Sequence, residues 1–131
     1  GNVAVDRVSM VPAALGTFLG IRAFEPDLVI NAGTAGGFAS QDGKLGKSEI
    51  GKVYIASQIQ NHDRRIHIPG TGYEEYGIDK RNENVLSPEA LRRKGFEFGV
   101  VSTGNSLDTT EESNSKIVFE RGVVAKEMEA A

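Results

Sequence analysis

The sequence predicts an α/β fold, on three observations. Short apolar runs such as Leu28-Val29-Ile30 and Val100-Val101, and Lys52 to Ile59 with its partial alternation, have strand composition. Two of these runs lead into glycine and small polar groups, at Asn31-Ala32-Gly33-Thr34-Ala35-Gly36-Gly37 and Thr103-Gly104-Asn105-Ser106. Helical patterns lie between the strands, and that alternation builds a sheet with helices packed on it. In open sheets of this class, small ligands sit at the carboxyl ends of the strands.

Composition narrows the class. A chain of 131 residues reads as one domain, residues 1–131, and its net charge of −3 gives no field for nucleic acid or a membrane surface. The absence of cysteine excludes disulfides and thiolate metal sites. No apolar stretch approaches the roughly 20 residues of a membrane helix, and no signal-peptide pattern opens the chain. A soluble cytoplasmic protein is the expectation, with a small-molecule partner and no cofactor. Strand-like Val3-Ala4-Val5 follows almost directly on Gly1, and helix formers have only begun at Glu129-Ala130-Ala131. Truncation at both ends is therefore expected.

Taken in order, Val3 to Val8 reads as the end of a strand. Ser9 is a candidate N-cap and Pro12 fits the first turn of a helix reaching Phe24, with Ala14, Leu15, Phe18, Leu19 and Ile21 on its apolar face. Pro26 disfavours its continuation. Leu28 to Ile30 then reads as a strand buried on both faces. The turn after it brings backbone N–H groups and the Thr34 hydroxyl to that strand's end, although a plain tight turn has the same composition. Gln41 to Gly51 is a loop or hairpin, and Lys52 to Ile59 a strand.

His62 to Gly77 is a charged, turn-rich surface loop that could lie over a cleft. Its two histidines, His62 and His67, lack a third ligand at metal spacing, so no metal site is expected. Ser87-Pro88-Glu89 opens a short helix: N-cap, proline at the first position, then an acid in the first turn. Basic residues close it, Gly95 stops it, and Phe96 to Ser102 is the next strand. Thr110 to Glu120 is weakly helical. Val123-Val124-Ala125 is a last short strand running into Lys126-Glu127-Met128-Glu129.

Three strand ends are expected to converge on one rim: residues 33–36, 103–106 and 126–129. They offer backbone donors, hydroxyls and the Glu129 carboxylate, which can accept two hydrogen bonds from a vicinal diol. Leu107 and Met128 can pack a flat base, or serve as ordinary core. Glu129 can equally be a helix N-terminal acid.

These motifs carry a specific resemblance. Asn31 to Gly37, then Ser102-Thr103-Gly104-Asn105-Ser106-Leu107-Asp108, then Lys126-Glu127-Met128-Glu129-Ala130-Ala131 resemble three successive motifs of the 5′-methylthioadenosine/S-adenosylhomocysteine nucleosidases. His62-Asp63-Arg64-Arg65-Ile66 and Val11-Pro12-Ala13 are similar to the plant-type branch. The resemblance implies an incomplete nucleoside phosphorylase-like fold: a mixed central sheet flanked by helices, in a homodimer. It further implies hydrolysis of the N-glycosidic bond of methylthioadenosine in methionine salvage. Met128 and Glu129 become the ribose-site residues, with Glu129 gripping sugar hydroxyls, and Lys126 and Glu127 of the same motif count among the substrate-binding residues. Thr34 and Gly36 line the side of water attack, while Ser106, Leu107 and Asp108 frame the adenine. Leu107 stands where many bacterial members carry phenylalanine.

The pattern also departs from the family. The family's general-base glutamate would precede Gly1 and its purine-protonating aspartate would follow Ala131, so little or no turnover is expected of residues 1–131 alone. Ser9 replaces a glycine common before Val-Pro-Ala. Two other readings remain open. Purine and uridine phosphorylases share the fold but usually place arginine where Asn31 stands, and an amide cannot neutralise phosphate. A non-catalytic nucleoside-binding fragment would keep the pocket without the chemistry.

Overall fold

The computed structural model describes residues 7–38, 50–64, 66, 68–78, 81–82, 88–107, 110 and 122–131. Their elements are α1 (Met10–Phe24), β1 (Gly36–Gly37), β2 (Tyr54–Asn61), α2 (Tyr73–Ile78), β3 (Arg81–Asn82), α3 (Pro88–Arg93), β4 (Glu97–Thr103) and β5 (Val123–Glu127). The five strands form one mixed sheet in the order β1-β5-β4-β2-β3. Its centre is parallel (β5, β4, β2), and a two-residue antiparallel strand closes each edge. The α/β expectation holds, with a mixed sheet and accompanying helices.

Local chemistry explains the best-matched elements. α3 has Glu89 in its first turn and Arg92 and Arg93 in its last, matching the helix dipole at both ends. Gly95 ends it at φ 85°, in the left-handed region that glycine enters without a Cβ clash. β2 and β4 are clamped at their amino ends by Lys52 Nζ and Glu97 Oε1, 2.9 Å apart. Between β4 and β5 the backbones approach so closely that a Cβ on Gly99 would overlap the Val124 side chain. Val123 and Phe38 form the buried core, with Val100 packed against them.

Four expectations change. Residues 28–30 form no strand: Leu28, Val29 and Ile30 are exposed, because no described strand pairs with them and no described helix covers them. Helix α1 begins at Met10, directly after Ser9, but buries none of its apolar face, so Leu15, Phe18 and Leu19 stay exposed. Ser9 precedes it, yet its hydroxyl makes no capping bond. The loop after β2 contains a short helix, α2, where Arg64 Nη2 donates to the Tyr76 carbonyl at 2.6 Å and stacks over its ring at 4.8 Å. Residues 3–6, the predicted loop or hairpin from 41 to 49, and residues 111–120 lie outside the described residues.

Candidate functional site

Three parallel strands finish side by side. Gln60 pairs with Ser102 and Asn61 with Thr103 between β2 and β4; Ser102 pairs with Lys126 and Thr103 with Glu127 between β4 and β5. Residues in register share a face, so Gln60, Ser102 and Lys126 lie on one side of the sheet and Asn61, Thr103 and Glu127 on the other. Gln60, Asn61, Ser102 and Thr103 are all buried, a row of polar groups that must find partners at the strand ends.

Thr103 and Glu127 supply such partners to one another. The Thr103 hydroxyl donates to Glu127 Oε1, and the main-chain N–H groups of Glu129 and Ala130 donate to Glu127 Oε2 at 2.7 and 2.8 Å. Ala131 N–H donates to Thr103 Oγ1 at 3.0 Å. The Glu127 carboxylate thus gathers the amides two and three residues ahead of it, the hydrogen-bond pattern of a helix N-cap, and turns the chain over the end of β5. Its hydrogen-bonding capacity is largely occupied, which makes it a shaping group for that turn.

Glu129 is the carboxylate this turn presents. Its Oε1 accepts from Ser9 N–H and its Oε2 from Met128 N–H, both at 3.1 Å. Each oxygen accepts one main-chain donor there and has a further lone pair for a hydroxyl. The start of α1 is drawn to the same place. Met10 N–H donates to Asn105 Oδ1 at 3.4 Å, and Asn61 Nδ2 donates to Met10 Sδ at 3.3 Å. Ser9 reaches Glu129 with φ 99° and ψ 165°, a conformation that belongs almost solely to glycine.

A recess of about 50 Å³ is lined by Gly36, His62, Ser106, Leu107, Lys126, Glu127 and Met128, and Glu129 is not among its lining residues. That volume holds little more than a water or two, whereas small-ligand pockets typically run to about 300 Å³ or more. Among the described residues the recess is thus too small to enclose a nucleoside. Among them no group of three or more His, Asp or Glu could hold a metal ion.

Most of the sequence-predicted residues meet here. Ser106 and Leu107 come from beyond β4, Lys126, Glu127 and Met128 from β5 and its turn, and Gly36 from β1. Gly36 arrives differently from the expectation: β1 runs antiparallel to β5, with Gly36 opposite Lys126, so it is not the carboxyl end of a parallel strand. Thr34 is exposed and does not line the recess. Asp108 lies outside the described residues. His62 was missed as a lining residue, having been read as loop. Because β2 runs on to Asn61, His62 stands at a strand end like the other rim residues.

A sequence profile of the Phosphorylase superfamily matches residues 2–131. The chain belongs to that superfamily. It is 38% identical over 129 residues to the 5′-methylthioadenosine nucleosidase of Arabidopsis thaliana, covering 98% of this chain and 45% of the relative. A second Arabidopsis thaliana relative, a 5′-methylthioadenosine/S-adenosylhomocysteine nucleosidase, is 37% identical over 99% of this chain and 48% of its own length. The solved apo structure of the Arabidopsis thaliana 5′-methylthioadenosine nucleosidase superposes with a TM-score of 0.81 at 37% identity, over 97% of this chain and 48% of that one. This superfamily member spans about half the length of the curated relatives it matches.

Proposed function

We propose that this superfamily member acts as a 5′-methylthioadenosine nucleosidase, hydrolysing the N-glycosidic bond to give adenine and methylthioribose. S-adenosylhomocysteine is a further candidate substrate. The observation that carries the reading is the Glu129 carboxylate, oriented by the Ser9 and Met128 amides and next in the chain to Met128, which lines the recess with Leu107. The similar nucleosidases support it. Glu129 accepts from two ribose hydroxyls, and the base packs along Leu107 with Ser106 and Asp108 beside it. Lys126, Met128 and the turn held by Glu127 complete the sugar side, with Gly36 and Thr34 toward the attacking water.

The bond that breaks is anomeric carbon to purine nitrogen, and the bond that forms is anomeric carbon to water oxygen. The oxocarbenium-like transition state needs a base for that water and an acid for the purine. Family resemblance assigns both to residues outside 1–131, so none of the side chains here takes either role. By the same resemblance the working unit is a single-domain fold in a cytoplasmic homodimer, serving methionine salvage.

The test is adenine release from methylthioadenosine, with and without inorganic phosphate, by a chain that carries the family's base and acid as well as residues 1–131. Equal release in both, with free methylthioribose as the sugar product, is the expected result. Release that requires phosphate and yields a sugar 1-phosphate would replace hydrolysis by phosphorolysis, against the neutral Asn31. Adenine binding without release would leave only a nucleoside-binding function.

A further inference from the structure

Two hydrogen bonds dock the turn after β2 onto the end of β4 and the segment that follows it, and two more hold the turn itself. His62 N–H donates to the Thr103 carbonyl at 3.0 Å, and Asn105 N–H donates to Asp63 Oδ2 at 2.5 Å. Asp63 and Arg64 N–H groups donate to Asn61 Oδ1 at 3.2 and 2.9 Å, fixing the turn itself. Gly104 lies between the two docking points. A Cβ built there would fall inside the His62 imidazole, at its Nε2–Cε1 edge. Gly104 is not in the left-handed region, so room for the ring, rather than backbone freedom, is what its missing side chain provides.

The ring is also held from its other edge. His62 Nδ1 lies 3.1 Å from Ser102 Oγ, and that fully buried hydroxyl donates to the Gln60 carbonyl at 3.4 Å. A hydroxyl has one proton, and the carbonyl takes it, so the assigned donor in the His62–Ser102 bond is Nδ1–H. His62 then lines the same recess as Ser106 and Leu107.

We propose that His62 is a positioning residue whose ring, seated in the space left by Gly104 and pinned by Ser102, sets the purine-side wall Gly104–Leu107. The proposal rests on the nucleosidase reading for the identity of the purine. Its chemistry is steric and polar, so adenine alone is a sufficient probe.

The experiment is a double-mutant cycle in the protein with His62→Ala, Gly104→Ala and the pair. Readouts are adenine affinity by calorimetry, KM and kcat for methylthioadenosine, and the melting temperature. Each single change is expected to weaken adenine binding and raise KM by about tenfold, with kcat within about threefold. Gly104→Ala should cost nothing more once His62→Ala has vacated the ring's space. Equal effects of Gly104→Ala in both backgrounds, or a lowered melting temperature with unchanged adenine affinity, would overturn the proposal. Should His62→Ala fail to fold, His62→Asn keeps a donor for Ser102 while clearing the space over Gly104, and must relieve Gly104→Ala in the same way. Adenine affinity that follows the cycle in a protein without turnover would overturn the nucleosidase reading and leave the seat standing. Turnover with adenine affinity insensitive to both changes would do the reverse.

Discussion

Ser9 is where sequence and backbone disagree most sharply, and replacing it with glycine should make the protein more stable. At φ 99° and ψ 165° its Cβ is forced against the backbone, a conformation costing of order 1–3 kcal/mol for any residue but glycine. Its hydroxyl makes no capping bond that the change would remove. Its contribution to the site is the main-chain N–H donated to Glu129 Oε1, which glycine keeps. Against the relief stands glycine's larger unfolded-state entropy, about 0.4–1 kcal/mol. Ser9→Gly should therefore gain roughly 0.5–2 kcal/mol net. With a urea m-value near 1.5 kcal/mol/M, the unfolding midpoint rises by about 0.3–1.3 M at unchanged m. Ser9→Ala retains the Cβ and the strain, so its stability should stay within about 0.5 kcal/mol of the parent, a midpoint shift under about 0.3 M. A midpoint that does not rise in Ser9→Gly, or rises equally in Ser9→Ala, would refute the strain.

Other perturbations test separate parts of the structure. Glu25 ends α1 in the left-handed region at φ 44° and ψ 53°, and Glu25→Gly should stabilise by up to about 1 kcal/mol in the same urea titration. Glu127→Ala strips the acceptor from the Thr103 hydroxyl and two main-chain N–H groups; it should cost about 2–4 kcal/mol and raise KM through a displaced Glu129. Gly99→Ala should cost about 1–3 kcal/mol by driving a methyl into Val124, and Val124→Ala in the same chain should recover most of it.

The sheet's parallel centre was legible because β4 and β5 combine β-branched composition with turn chemistry at their ends, and α3 because its caps and charges are local. Residues 28–30 show the limit of such reading. A continuous apolar run states only that burial would be favourable; pairing strands and covering layers must come from elsewhere in the chain, and the described residues supply neither. The apolar face of α1 fails for the same reason. What single-residue reading left out is the role of Glu127, whose side chain accepts from the amides of Glu129 and Ala130 in the pattern of a helix N-cap.

Glycine shows how strand-end motifs can be read in two ways. Small residues at strand ends suggested close approach of a ligand to the backbone, and the motifs do converge on the recess. Yet Gly104 makes room for His62, Gly99 for Val124, and the one glycine lining the recess, Gly36, faces Lys126 across an edge pair. The bulk these glycines lack is mostly taken up by the protein itself. Conversely, the position that the resemblance expects to be glycine, Ser9, holds a backbone that still follows the glycine path. A strand-end motif therefore locates a rim through packing demands as much as through ligand demands. The two carboxylates of the last motif are then told apart by their partners: Glu129 accepts one main-chain donor on each oxygen, while Glu127 accepts the Thr103 hydroxyl and two amides to hold the turn.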